Sequence, residues 1–261
     1  TWNPPALTFS QEPYQGKAFP HGHPDHLRAI AALFGIDAAP PERCRVLELG
    51  CGDGWNLLPM AEELADSEFV GVDRDGARLA AGRTAQQKLG LRSLDLVEKD
   101  IADLDAKSGP FDYVIAHGLY SWTSAAVREV FFERIRSLLG ERGVAYVSAN
   151  VYPGWHPIDS ARNFALFHAH VKQPSAGEPF LKELRQASRF FADQMPRDTP
   201  PRALSSEQYR GLSGMSDYLL TFDQLTETAP AYFEPLVRKA ERSGLHYVTD
   251  AILLGGQSAR L

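Results

Sequence analysis

Three carboxylates in the first hundred residues stand where chemistry could be done. Glu48, Asp73 and Asp100 lie at or beside the ends of the apolar runs "CRVLEL", "EFVGVD" and "LDLVEKD". Behind Glu48 comes "GCGDGWN", a turn from Gly50 to Asn56 with glycines at alternate positions. A dinucleotide fingerprint needs G-x-G-x-x-G/A, and counting from Gly50 its third small residue falls on Trp55. No G-K-[ST] follows for a triphosphate. The turn therefore lets a ligand press on the backbone, while Glu48 repels pyrophosphate and suits positive charge.

The other two acids extend the pattern. Asp73 follows the turn by about 20 residues, the place from which an acid accepts hydrogen bonds from ribose hydroxyls. Asp100 can take an exocyclic adenine amine, with Ile101 flat against the ring. Cys51 inside the turn and Arg74 after Asp73 complete the expected set of cofactor contacts. A cationic nucleoside without phosphate fits these residues, and S-adenosylmethionine, with its sulfonium, ammonium and ribose, is such a compound. Alone, each acid is equally well a solvated strand end.

Two further stretches carry aromatic and titratable groups, "HGLYSW" from His117 to Trp122 and "NVYPGWH" from Asn150 to His156. If both open at the edge where the glycine turn lies, they form a substrate slot. Asn150, Trp122 and Trp155 would line it, and hydroxyls of Tyr120 or Tyr152 would orient a methyl acceptor. The tryptophans serve equally well as packing anchors. His117 contacts the cofactor or acts as base. A base matters most for an acceptor that arrives protonated, as a lysine amine with a pKa of about 10.4 does. In the arm "HGHPDH", His21, His23 and His26 invite a metal, but no carboxylate or cysteine cluster completes a shell, so none is expected. Tyr14 or Phe19 of the same arm is expected to cover the cofactor's methionine end.

The elements that must position these groups are legible from periodicity. The strands are the three runs above with "FDYVIAH" and "GVAYVSAN". Helices are expected near 55–66, 75–90 and 123–139, the last capped by Thr123 or Ser124 and ended by Gly140. "PDHLRAIAALFG" reads as an earlier helix with Leu27, Ile30, Ala31 and Phe34 on one face. Alternating strands and helices imply an α/β fold, a doubly wound, mostly parallel Rossmann-like sheet with its crevice beyond the carboxyl ends of the strands. Four regions follow: an arm and helix over 1–40 covering the site, an α/β core over 41–150, a helical insertion over 151–228, and a helix and strand over 229–261 that return to the core. The insertion would supply a lid or a dimer contact through Phe180, Leu181, Leu184, Phe190 and Phe191.

Composition narrows the partners. The 261 residues carry a net charge of −6 at pH 7, which argues against a nucleic-acid substrate. No window approaches the ~18 uninterrupted apolar residues of a membrane span. The opening "TWNPPALTFSQEP" lacks the basic start and apolar centre of a signal peptide. Cys44 and Cys51 have none of the paired spacings of zinc sites and read as free thiols. A cytoplasmic setting without membrane partners is expected.

The stretches "RVLELGCGDGWNLLPMA", "FDYVIAHGLYSW" and "GVAYVSANVYPGW" resemble the class I S-adenosylmethionine-dependent methyltransferases that carry a methyltransferase regulatory domain. That group includes bacterial protein-lysine methyltransferases. The resemblance implies cofactor contacts at Glu48, Gly50, Gly52, Asn56, Asp73, Asp100 and the His117-Gly118 turn, with S-adenosylhomocysteine as product. It departs where Asp53, Trp55 and Ala149 replace the family's usual residues. The activity expected is methyl transfer to a protein lysine. A small-molecule oxygen, nitrogen or carbon acceptor is the alternative, and a cofactor-binding module without catalysis is a third.

Overall fold

The computed structural model describes residues 16–172, 178–194, 209–217, 220 and 228–252. Tyr14 lies outside them. Five parallel strands form one sheet in the order β3-β2-β1-β4-β5: β1 Arg45–Leu49, β2 Glu68–Asp73, β3 Leu94–Glu98, β4 Phe111–Ala116 and β5 Leu139–Val147. β1 is central. Its Val46 packs into the cluster of Leu27, Leu57, Leu58, Phe69 and Leu79, and its Leu47 faces the cluster of Val72, Phe111, Phe131 and Ile135. That two-sided burial is why Val46, Leu47 and Leu49 are apolar on both faces, where a half-exposed strand would alternate, and Glu48 is the buried exception.

Between the strands run α2 Leu57–Glu63, α3 Gly76–Leu89 and α4 Ala125–Leu138, with α1 Pro24–Leu33 preceding the sheet. Asp75 caps α3 by accepting from the amides of Ala77 and Arg78, and Ser124 caps α4 by accepting from Val127. In α1, Leu27, Ile30 and Ala31 are buried as the pattern requires, but Phe34 lies past the helix end and is exposed. α4 passes into β5 at once, before Gly140. Phe111 pairs with Leu139 and Tyr113 with Val144, so residues 140–143 bulge out of the ladder and the strand starts earlier than its apolar pattern.

The described residues fall into two compact units, one of 16–149 with 233–252 and one of 150–232. The second contains α5 His156–Lys172, α6 Glu178–Gln194 and a two-stranded parallel sheet of β6 Val151–Tyr152 and β7 Ala231–Tyr232. Its core gathers Ala165, Leu166, Phe180, Leu181, Leu184, Tyr209 and Leu212. Of the expected apolar stripe, Phe190 stands out in solvent.

The first unit resumes with α6's successor in the core, α7 Phe233–Arg242, whose Lys239 pairs with Glu129 of α4. The strand expected after Gly244 is absent among the described residues 245–252. There Tyr247 and Ile252 are exposed, the Tyr247 hydroxyl bonds to Asp250, and the Ala251 carbonyl meets Nε2 of His26 at 2.7 Å. A side chain takes the backbone group that a ladder would have used.

Candidate functional site

The strand order reverses between β1 and β4, which opens a crevice beyond their carboxyl ends. At β1 the chain turns through Gly50 and Gly52, both in the left-handed region at φ 72° and 59°. Side chains there would also collide: a Cβ on Gly50 would stand 2.7 Å from Leu119, and one on Gly52 2.2 Å from the Arg78 guanidinium. The Val72 carbonyl accepts from the amides of Gly50 and Cys51, at 2.7 and 3.1 Å. Asp73 fixes the rest, its Oδ2 accepting from Gly52 N at 2.8 Å and its Oδ1 from Asp75 N at 2.9 Å. Each carboxylate oxygen has room for another donor.

Glu48 is 4% exposed. Its Oε1 accepts from Nδ2 of Asn56 at 2.8 Å, while its buried Oε2 has no hydrogen-bond partner among the described residues. Burial pushes its carboxyl up to about 8; the Asn56 bond opposes this, and Asp53 and Asp73 add to it. An acid so placed is costly unless a positive group meets it.

The arm crosses this site. Asp53 accepts from Gly16 N at 3.2 Å, and Asn56 Oδ1 accepts from Phe19 N at 2.8 Å. The Phe19 ring stacks on His117, 3.6 Å between centroids. Asn56 thus joins the buried acid to the arm. The Nδ1 of His117 is 2.9 Å from the Tyr146 hydroxyl, and Gly118 N donates to Ser148 Oγ at 2.6 Å. Burial lowers the His117 pKa, with His21 and Lys17 acting in the same direction.

Other expected residues stand differently. Asp100 lies past β3 and accepts from Ala102 N at 2.9 Å as the cap of a short turn. Ile101 is buried with Leu49, Val72 and Leu104, so it packs the core instead of lying open for a ring. Cys51 is also buried, its thiol pushed up by burial, and Arg74 is exposed. Tyr120 is 4% exposed and packs on Phe131 and Phe132, so it belongs to the core under α4 and not to a slot. Trp122 is half-buried in the turn after it.

Tyr152, Asn150 and Trp155 belong to the second unit. The Tyr152 hydroxyl donates to Asp159, which pushes its pKa up to about 12, and its ring stacks on His156 at 4.2 Å. Asn150 Nδ2 donates to Thr228 at 3.2 Å. The Trp155 indole N–H is buried without a partner among the described residues.

The three arm histidines do not converge on one point. His23 is instead flanked by Asp25 and Glu63, with ligand atoms all within 4.8 Å, so carboxylates do approach it, contrary to expectation. Its Nδ1 accepts from Asp25 N at 3.3 Å and caps α1. Sequence reasoning missed Asp53, Ser148 and Tyr146. Nothing in their spacing marks them, because each acquires its role from a residue 29 to 37 positions away.

A parallel sheet in this order, with acids at the strand tips and no phosphate cradle, defines a class I methyltransferase architecture. The family model described as "Methyltransferase domain" matches residues 46–143. The chain belongs to the class I S-adenosylmethionine-dependent methyltransferases. It is 31% identical to the uncharacterised protein RP028 of Rickettsia prowazekii (strain Madrid E), over 90% of this chain and 94% of that one. It is 32% identical to RP789 of the same organism, over 93% of this chain and 44% of the relative. The structure of PKMT2 from Rickettsia typhi in complex with AdoHcy superposes with a TM-score of 0.84 and 31% identity, covering 92% of this chain. The chain spans 46% of the length of PKMT2. No helix among the described residues is long and apolar enough to cross a membrane.

Proposed function

We propose that the protein moves the methyl group of S-adenosylmethionine to a lysine amine of another protein, releasing S-adenosylhomocysteine. The observation that carries this reading is the orphaned, buried Oε2 of Glu48 behind a glycine turn. That oxygen fits an ammonium group and not a phosphate. Gly50 and Gly52 leave backbone against which the ligand lies, Asp73 offers acceptors to ribose hydroxyls, and Asp100 offers one to an adenine amine. Phe19 covers the methionine end from the arm. The cofactor supplies a methyl group already activated by its sulfonium, so the protein's part is to align an acceptor, exclude water and leave its lone pair free.

The likeness to PKMT2 over nearly the whole of this chain supports a protein acceptor. The acidic balance disfavours nucleic acid. A cytoplasmic setting belongs to the same reading. The test is incubation of the whole chain with methyl-labelled cofactor and host lysate, followed by hydrolysis of the labelled proteins. Methylated lysine is expected. Label confined to small metabolites would overturn the protein acceptor, and absence of cofactor binding in a calorimetric titration would overturn the reading entirely.

A further inference from the structure

We propose that Tyr146 is a positioning residue that donates its hydroxyl hydrogen to Nδ1 of His117 and so holds that imidazole as the Nε2–H tautomer. The inference deepens the methyl-transfer reading, and only its consequence for turnover rests on that reading.

Tyr146 lies on β5 beside Ile115 of β4, one residue before the strand ends, and His117 follows β4 directly. The hydroxyl and Nδ1 are 2.9 Å apart, with the rings within 11° of parallel. The arm shields the pair. Phe19 stacks on the imidazole, and a Cβ on Gly22 would meet Ile115 at 3.3 Å and the Tyr146 ring at 3.5 Å. Water is therefore a poor competitor for either group.

One hydrogen is shared between the two atoms, and its owner decides what His117 can do. A neutral imidazole nitrogen is the stronger acceptor and a phenol the stronger donor, so O–H···N is the favoured arrangement. Lys17 and His21, the charged and titratable groups acting on His117 besides Tyr146, both disfavour an imidazolium. Burial raises the Tyr146 hydroxyl, which stays protonated. His117 is then neutral, its lone pair is engaged at Nδ1, and Nε2 carries a hydrogen. Nε2 has no hydrogen-bond partner among the described residues. His117 therefore offers a ligand a donor. It offers no seat for a proton leaving the acceptor amine, so of the two roles open in the sequence, contact survives and base does not.

The experiment is long-range 1H–15N NMR on the cofactor-free, 15N-histidine-labelled chain, with His117 assigned through His117→Gln. A single Nε2–H tautomer at pH 7 is expected, and an Nδ1–H tautomer overturns the proposal. In Tyr146→Phe the His117 pKa should rise by about half a pH unit, because an O–H···N bond exists only with the neutral ring and its loss removes a bias toward that form. A fall, or no change, means that Tyr146 accepts or does nothing, and defeats the assignment. If Tyr146→Phe does not fold, the wild-type tautomer decides alone. Neither measurement needs cofactor, so failure of the methyl-transfer reading leaves this result standing and the two failures are told apart.

Discussion

Asp73 does two jobs with one carboxylate. It braces the glycine turn through Gly52 N and Asp75 N, and its remaining lone pairs are the acceptors proposed for ribose hydroxyls. Asp73→Ala is expected to weaken S-adenosylmethionine binding at least tenfold, about 1.4 kcal/mol. Calorimetry in parallel with thermal melting of the free protein separates the two jobs, since a purely bracing role lowers the melt and leaves affinity alone. Tyr120 is the opposite case. In the sequence it stands beside Trp122 and Ser121 as a plausible hydroxyl for the acceptor, yet its ring is locked between Phe131 and Phe132. Tyr120→Phe should therefore keep turnover within about twofold, the small change expected of a substitution that preserves ring packing. A tenfold loss would return Tyr120 to the reacting group. The sequence shows residue type and spacing. It does not show which face of a short turn α4 covers, and that alone removed Tyr120 from the crevice.

At the scale of elements, the sheet was legible because β1, β2 and β4 are buried on both faces and therefore read as mainly apolar runs, interrupted by Glu48 in β1 and Asp112 in β4. The helices were legible to within two or three residues, since Asp75 and Ser124 carry ordinary capping chemistry. The end of the chain was not. "HYVTDAILL" has strand composition, but its described part is held by Tyr247, Asp250 and His26 rather than by a neighbouring strand. Nor was the packing at the glycine turn legible. Trp55 displaces the third small residue that lets a helix close on its strand, and the structure supplies closeness from elsewhere. Gly82 of α3 brings that helix so near that a Cβ would lie 2.3 Å from the Asp53 carbonyl and 2.8 Å from Leu96. Gly82→Ala must move α3 or the turn. It is expected to cost about 1–3 kcal/mol in a denaturant melt, as overpacking usually does. It should also weaken the Asp73–Gly52 contact, seen as faster amide exchange at Gly52. A variant as stable as the parent would show that α3 can slide without loss.

For the molecule as a whole, Glu48 makes the unit that holds it depend on pH. Its carboxyl rises from an ordinary 4.5 to about 8 on folding, chiefly through burial. Below about 4.5 both folded and unfolded chains hold the proton, and the residue contributes no slope. Between 4.5 and about 8 the unfolded chain releases the proton while the folded chain keeps it, so stability falls as pH rises and levels off above 8. The opposing tendency of carboxylates elsewhere is common to wild type and Glu48→Gln, so the difference between them isolates this term. Exchange of the β1 amides of Val46 and Leu47 reports opening of the relevant unit without requiring both units to unfold together. The gap should widen in favour of Glu48→Gln by a few kcal/mol in total between pH 5 and pH 8. A ligand ammonium opposite Oε2 reverses the balance, because it stabilises the ionised carboxylate. Saturating S-adenosylmethionine should then protect wild type more at pH 8 than at pH 6, and Glu48→Gln about equally at both. A pH-independent gap would mean that Glu48 is ionised and already partnered in the free protein, and the ammonium site would have to be sought elsewhere.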